Sequence, residues 1–417
     1  MRLLSVRVSN FRAIRQMNLQ LESQVTVIVG RNGAGKTTLL EAISKSLKQL
    51  RMYWPDSSGK TKFYPHEISQ KDISEGESEC FVKVNYILDE LAKDSVKSLK
   101  SMLPEQGPQF DEDSPHKLLQ EMRNGRKLPL RPCLFVYYHQ DRGFRGGGKS
   151  NDVLNQDEMR NVSLTPDLRA INDLQTWWDR RDAQEAREVR DVDQNYRDPQ
   201  LEAIRHLIKQ IDSFFSISYL ATAKNPGLHL RKRSGEVVHV NDLSSGERSY
   251  IILLADLARR LQVSEPDKSP DQIRGIVLID EIELNLHPAW QSEIVPSLMK
   301  HFPMCQFIVT THSPQVISSV PHDNVRILES SESGSISVTT PLSTKGRTSN
   351  YLLEGVFGAS ERNPGTKDLI DRFNMAIEDS KLTEAESLFV EICSELEGDS
   401  ADLILFKKRL NRLKAQQ

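Results

Sequence analysis

A chain of 417 residues with 38% hydrophobic content carries enough apolar material for one large α/β core and a second, mostly helical region. Lys+Arg 55 against Asp+Glu 58 leaves a formal net charge of −3, which excludes a globally basic nucleic-acid binder and leaves any such contact to a local patch. Cys80, Cys133, Cys305 and Cys393 form no Cys-x-x-Cys pair, which argues against a structural zinc and a disulfide framework. No stretch has the apolar length of a signal peptide or a bilayer span, so a cytoplasmic protein is expected.

Leu4, Val6 and Val8 alternate with Ser5, Arg7 and Ser9, and Met17 to Leu21 alternates again, which predicts a β-rich opening with a turn at Asn10 to Ile14. Arg12 in that turn reads as an exposed strand-end residue, with reach toward a nucleotide as the other reading. Gln24 to Val29 is a short β-branched run suited to a buried strand, and Gly30-Arg31-Asn32-Gly33-Ala34-Gly35-Lys36-Thr37-Thr38 follows it. The Gly-x-x-x-x-Gly-Lys-Thr spacing between a strand and a helix makes this a phosphate-binding loop. Its glycines let backbone N–H groups converge on an anion, Lys36 supplies a charge for the β- and γ-phosphates, and Thr37 offers a hydroxyl to Mg²⁺. Asn32, Gly33, Ala34, Gly35, Lys36, Thr37 and Thr38 are the expected ATP-binding residues. Leu39 to Ile43 begins the helix whose N-terminus faces the phosphates.

Residues 46–130 break into polar stretches punctuated by prolines, with one alternating piece, Phe81 to Tyr86, and an acidic loop from Glu105 to Ser114. Cys133 to Tyr138 reads as a second core strand. His139, Gln140, Asp141 and Arg142 follow at its end, where polar residues are well placed for a ligand. The glycine run 143–148, with Arg142, Arg145 and Lys149, reads as a solvated linker or a phosphate or DNA contact. Leu168, Ile171, Leu174, Trp177 and Trp178 fall at helical spacing, as do Leu201, Ile204, Leu207, Ile208 and Ile211 after Pro199. The adjacent tryptophans read as packing rather than a base-stacking platform, and no heptad run supports a long coiled coil.

Leu228 to Leu230 and Val237 to Val240 flank Ser234-Gly235, a hairpin signal that delivers the chain to Leu243-Ser244-Ser245-Gly246-Glu247. That stretch resembles the signature sequence of ABC-type ATPases, with Ser245 where glycine is common and Glu247 where glutamine is common. A serine hydroxyl with unpaired N–H groups at a helix N-terminus suits a γ-phosphate, and an ordinary Ser-capped helix is the alternative. Ile276 to Ile279 is an apolar strand ending in Asp280 and Glu281. Asp280 can hold the Mg²⁺ shell and Glu281 can orient and deprotonate the attacking water, with strand alternation separating the two carboxylates. His287 before Pro288 is a subunit contact or a turn residue. Gln306 to Thr311 is a further strand ending at His312. From Arg347 the pattern is helical, and the basic amphipathic Lys407 to Lys414 is a solvated helix end or a surface for an acidic partner.

The ordered set of P-loop, Gln140, signature, Asp280-Glu281 and His312 is similar to the ABC-type ATPase heads of SMC and RecF proteins and of OLD-family nucleases, over Met1 to about Pro341. Asp280-Glu281-Ile282-Glu283 with Leu286-His287-Pro288 looks like the OLD and AAA branch. The Toprim nuclease domain that follows in OLD enzymes has no counterpart in the helical remainder, so no nuclease site is expected. This architecture resembles PtuA, the ATPase of Septu and of some retron antiphage systems, a family that works with a separate HNH endonuclease, PtuB.

The resemblance implies an α/β fold, a P-loop NTPase of ABC-ATPase head type with a helical insertion and a helical C-terminal region. It divides the chain into an N-terminal ATPase lobe (1–45), an irregular insertion (46–130), a core strand with Gln140 (131–150), a helical insertion (151–225), a C-terminal ATPase lobe (226–341) and a helical end (342–417). It implies ATP and Mg²⁺ as cofactors, with Gln140 touching the metal and its water and His312 contacting the γ-phosphate beside the base Glu281. Thr37 and Asp280 hold the metal. Ser244, Ser245, Gly246 and Glu247 close over the nucleotide of a second copy, so the chain is expected to be a homo-oligomer. The implied partners are itself, a PtuB-type HNH endonuclease and DNA, with no membrane. A RecF-like DNA-repair ATPase and a slow-turnover, nucleotide-gated scaffold are the alternatives.

Overall fold

The computed structural model describes residues 1–51, 68–87, 97–103, 133–140, 170–331, 334–358, 363–396 and 401–415. The acidic loop 105–114, Asp141, the basic glycine-rich segment with Arg142, Arg145 and Lys149, and Leu168 lie outside the described residues. The chain divides into two compact units, Met1–Thr348 and Ser349–Gln417.

In the first unit, β1 (Arg2–Phe11) and β2 (Ile14–Gln20) pair antiparallel, with Val6, Val8, Met17 and Leu19 buried in alternation; a register shift between Leu3 and Ser5 puts Leu3 inside and leaves Leu4, expected in the inward set, only partly buried. β3 (Val25–Gly30) is buried at every position and leads through the glycine loop into α1 (Lys36–Arg51). The helix runs past residue 45, and the region expected to be irregular contributes two strands. These are β4 (Cys80–Ile87) and β5 (Lys97–Leu103), which extend the first sheet in the order β2-β1-β4-β5. Cys80, Val82, Val84 and Tyr86 are the inward set of β4. Their partner strand lies some seventy residues back, so the register is set by the apolar face of β1 and not by any local turn.

β6 (Leu134–Tyr138) is again buried throughout. The helical layer that follows comprises α2 (Ala170–Asp191) and α3 (Pro199–Lys209), the latter capped by Asp198, which accepts from the N–H groups of Gln200 and Leu201. Trp178 is fully buried and meets Trp177 edge-on with ring centroids 6.2 Å apart, as packing residues do. The insertion is not helical to its end. β7 (Phe214–Leu220) pairs with β8 (Gly227–Lys232), which pairs with β9 (Val237–His239) through the anticipated hairpin. Phe214 and Ile217 are buried three residues apart across a register shift in the β7–β8 pair, while Phe215 stays half exposed, so the strand's burial kept a helix-like spacing in the sequence.

α4 (Ser245–Ser264) is buried from Ser249 to Ser264. β10 (Gly275–Ile279), the short α5 (Pro288–Gln291), α6 (Ile294–His301), β11 (Cys305–Thr310), the short α7 (Pro314–Ser318), β12 (Val325–Ser330) and β13 (Ile336–Thr339) complete the unit. The main sheet has the order β13-β12-β3-β11-β10-β6, parallel except for β13 at one edge. Parallel strands buried on both faces read as continuous apolar runs, and α1 lies between this sheet and the antiparallel one. The fold is α/β: a mainly parallel sheet in which β3 runs through a glycine loop into α1, with a largely helical insertion and a helical C-terminal region.

Inside α4 the carboxylate of Asp256, fully buried, accepts from Arg259 (2.5 Å), Arg260 (2.6 Å) and the Tyr138 hydroxyl (2.9 Å). Arg260 and Arg259 keep this charge ionised where burial alone would neutralise it, and the Tyr138 hydroxyl ties the helix to the end of β6.

The second unit contains α8 (Ser349–Gly355), α9 (Pro364–Glu378), α10 (Leu382–Glu395) and α11 (Ala401–Lys414). Phe373, Ala376, Leu388, Ile392, Phe406, Leu410 and Leu413 form its core. The apolar stripe of the basic tail is therefore committed to packing, and its lysines and arginines lie on the outer face.

Candidate functional site

Four adjacent parallel strands, β3, β11, β10 and β6, end at one edge of the main sheet, where a doubly wound sheet binds its ligand. β3 delivers the P-loop there. Gly33 and Gly35 have φ of +81° and +87°, which a side chain would strain, and a Cβ on Gly35 would sit 3.0 Å from Ile336. Lys36 is buried and its ammonium donates to the carbonyls of Gly30 (2.9 Å) and Arg31 (3.1 Å). Burial pulls its pKa down, against the opposing charges of Asp280, Glu281 and Glu283. Asn32 and Gly33 are exposed at the loop tip, Ala34 and Gly35 are buried, and Thr37 and Thr38 are half-buried in the first turn of α1.

The end of β10 meets the loop directly. The Thr37 hydroxyl donates to one oxygen of Asp280 at 2.8 Å, and the Thr310 hydroxyl, at the end of β11, donates to the other at 2.5 Å. A hydroxyl and a carboxylate so placed beside a phosphate loop are the oxygen donors that Mg²⁺ takes. The Glu281 N–H donates back to Thr310 Oγ1 at 2.8 Å, and the Ile282 N–H to the Thr310 carbonyl at 3.0 Å. Glu281 has φ of +46°, so the chain leaves the strand at once. The two carboxylates are separated by this left-handed turn and not by the strand alternation expected from the sequence.

His312 follows β11 in the same cluster, and its N–H donates to Glu283 at 2.5 Å. Burial and Lys36 lower the His312 pKa, with Asp280 opposing, so the ring favours its neutral form. Burial raises the Glu283 carboxyl. Thr310 and Glu283 were not singled out from the sequence. A threonine ending an apolar strand and a third acid after Asp-Glu are the faint signals that could have found them.

Gln140 lies two residues beyond β6 at the same edge and is half-buried. Its neighbour His139 approaches Glu41 of α1 at 3.8 Å, and Glu41 also binds Arg12. Arg12 is no bare strand end. Its Nε donates to Asp72 at 2.9 Å, Lys45 reaches the same carboxylate at 2.5 Å, and its backbone takes φ of +51°. Burial would raise Asp72, yet Lys45, Ser69 and Arg12 hold it at about 2.

A second cluster surrounds the start of α4. Ser244 caps the helix: its hydroxyl accepts from the Glu247 N–H (3.2 Å) while Glu247 Oε2 accepts from the Ser244 N–H (3.1 Å) and hydroxyl (2.9 Å). Lys232 of β8 holds the other Glu247 oxygen at 2.8 Å. A Cβ on Gly246 would stand 2.8 Å from the Asn285 carbonyl, so glycine is needed for the helix to lie against that loop. Ser244 to Glu247, Asn285, Leu286, His287 and Trp290 enclose an open concavity of about 580 Å³. His287 caps α5 through Nδ1, the turn role, while also lining this surface. Trp290 stacks on Tyr250 at 5.5 Å. The segment from Glu281 to Gln291 joins the clusters, because Gln291 also accepts from the Ser313 hydroxyl at 2.7 Å, one residue past His312.

Two family profiles match the chain: "AAA ATPase domain" over residues 1–124 and "AAA domain, putative AbiEii toxin, Type IV TA system" over residues 149–318. The chain is 25% identical to the "Retron Ec83 probable ATPase" of Escherichia coli, over 99% of this chain and 87% of that one. It is 27% identical to the "Retron Vc95 probable ATPase" of Vibrio cholerae, over 74% and 69%. It is 33% identical to the Septu protein PtuA of Bacillus mycoides over 35% of this chain and 21% of PtuA. Among solved structures it is similar to the SMC head domain from Thermotoga maritima, with a TM-score of 0.42 and 16% identity over 82% of this chain and 99% of that one. No helix among the described residues is long and apolar enough to cross a membrane. The chain is thus similar, over parts of its length, to AAA-type ATPase domains, and its matched relatives include retron ATPases and the PtuA proteins of Septu.

Proposed function

We propose that the chain binds and hydrolyses ATP as a nucleotide-sandwiched homo-oligomer, and that it is the ATPase subunit of a bacterial antiphage defence complex in the cytoplasm that controls a partner HNH nuclease. The observation that carries the ATPase reading is the contact between Thr37 and Asp280, 2.8 Å apart at the mouth of a P-loop. Lys36 and the loop N–H groups grip the phosphates, with Gln140 at the same edge. Thr37 and Asp280 would hold Mg²⁺ together with ATP, and the ion would supply charge neutralisation at the phosphate oxygens. Thr310 aims Asp280 and, through the Glu281 N–H, also fixes the backbone of the residue that takes the proton from water. Neutral His312 offers the γ-phosphate a hydrogen bond at the end of β11.

The signature surface supports the sandwich. Ser244 and Ser245 are exposed at the N-terminus of a long helix, a setting that suits an anion arriving from outside the chain. Ser244, Ser245, Gly246 and Glu247 would then complete the site of a second copy, and ATP would act as removable glue. The defence role and the HNH partner rest on the relatives named above.

Light scattering on the natural chain and on Glu281→Gln, with and without ATP, tests this reading, followed by co-purification with an HNH protein encoded beside it. Glu281→Gln removes the base and leaves the metal and phosphate contacts, so an ATP-bound oligomer that retains the HNH protein is expected. A monomer indifferent to ATP overturns the sandwich. An assembly that takes up DNA and no nuclease favours a repair ATPase, and assembly of the natural chain with negligible turnover favours a nucleotide-gated scaffold.

A further inference from the structure

At the start of α4 an anion is already bound, and it belongs to the chain itself. The Glu247 carboxylate accepts from the Ser244 N–H, the Ser244 hydroxyl and the Lys232 ammonium, all within 3.1 Å. Burial alone would raise its pKa, but Lys232 and Ser244 hold it below the usual carboxylate range, so it is ionised. A backbone N–H, a hydroxyl and an ammonium at a helix N-terminus are also the donors that bind a phosphate. The Ser244 hydroxyl has a single proton and cannot give it to Glu247 and to a phosphate at once. The two acceptors therefore compete.

We propose that Glu247 is an internal stand-in for the phosphate, and that Lys232 is a further phosphate-contact residue released when Glu247 is displaced. This rests on the reading that the signature meets the nucleotide of a second copy, and within that set it makes Glu247 the residue that yields its donors to the phosphate and does not itself touch it. Lys232 is well suited to the transfer. It sits on β8 with its backbone N–H bonded to the Glu236 carbonyl at 2.8 Å, so its stem is anchored while the ammonium swings. Glu247, one turn into α4, can rotate away without unwinding the helix, because the Ser244 hydroxyl still caps its N–H. The exchange makes the isolated chain hold its docking surface in a self-satisfied form, which an uncharged or weakly charged group does not open.

Sedimentation velocity across an ATP titration tests the exchange in a Glu281→Gln background, comparing Glu247→Gln, Lys232→Met, Lys232→Arg and the Glu247→Gln, Lys232→Met pair. Removing the competing charge is expected to lower the ATP concentration for half-assembly about tenfold, and Lys232→Met to raise it about tenfold. Lys232→Arg should restore assembly. In the pair, loss of Lys232 should still weaken assembly, because its partner is now the phosphate. Thermal melts of each variant check folding, and the Lys232 series stands if Glu247→Gln melts early. An unchanged or higher ATP requirement in a well-folded Glu247→Gln overturns the competition. A Lys232→Met effect that vanishes once Glu247 is Gln shows that Lys232 only holds Glu247. Failure of the Glu281→Gln parent to assemble is a different result, which brings down the sandwich reading itself.

Discussion

The two clusters of candidate residues are built on opposite principles. Around the P-loop the key charged groups are held by others: Asp280 is 1% exposed, pinned by hydroxyls from two elements, and Lys36 is 7% exposed against backbone carbonyls. Around the signature the serines face solvent, and the contacts that organise them are local, within one helical turn plus one lysine. Preorganised donors and acceptors cost no rearrangement when charge develops, which suits a reaction centre. A surface satisfied by its own side chains can exchange them for a partner's, which suits a contact that must form and release.

The sharpest way to break this contrast is Asp280→Asn. With the charge gone but the shape kept, ATP turnover should fall on the order of 100- to 1,000-fold while the far-UV spectrum is unchanged. A turnover assay showing less than a tenfold loss would mean that the acid is only a structural acceptor for Thr37 and Thr310. Gly246→Ala probes the other cluster. Its Cβ would press on the Asn285 carbonyl, so ATP-dependent assembly in the Glu281→Gln background should weaken about tenfold or more, with about 1–3 kcal/mol of lost stability. ATP binding to the separate chain, followed by calorimetry, should hold, and its loss would show that the clusters are not separable.

Thr310→Val is isosteric and deletes the hydroxyl shared by Asp280 and the Glu281 N–H, so denaturant melts should show about 1–3 kcal/mol of destabilisation with lower turnover. Unaltered stability would mean that these groups find other partners. The smallest effect concerns pH. Asp72 has its folded pKa depressed to about 2, so its contribution is fully present above the unfolded carboxylate value near 4 and is lost as pH falls through about 2. Comparison of the natural chain with Asp72→Asn between pH 6 and pH 2 should show on the order of 1–2 kcal/mol of pH dependence absent from the variant. Parallel curves would sink the assignment.

How far each cluster could be read from the sequence follows the range of its contacts. The P-loop, the Asp280-Glu281 pair and the Ser244 cap are contiguous, and local spacing alone defines their chemistry. Thr310, 30 residues beyond Asp280, and Arg12, 60 residues before Asp72, depend on which strands become neighbours, and no periodicity reports that. The same holds for β4 and β5, whose alternation was visible only in part and whose pairing, β4 with β1 and β5 with β4, was not. The left-handed backbone of Glu281 was hidden for a different reason, since a glutamate rarely takes it and its bond to Thr310, distant in sequence, helps hold it there.

The order of strands in the main sheet has a consequence for how the chain is made. β3, which carries the P-loop, sits between β11 and β12, yet it ends at Gly30 and β11 begins only at Cys305, 275 residues later. A ribosome adding roughly 5–20 residues per second leaves that strand without either neighbour for many seconds. The candidate nucleotide site can therefore close only after β11 has been made, and pairings of such long range are expected to form slowly. A chain interrupted anywhere before β11 carries its glycine loop without the two parallel neighbours that hold β3 in the sheet.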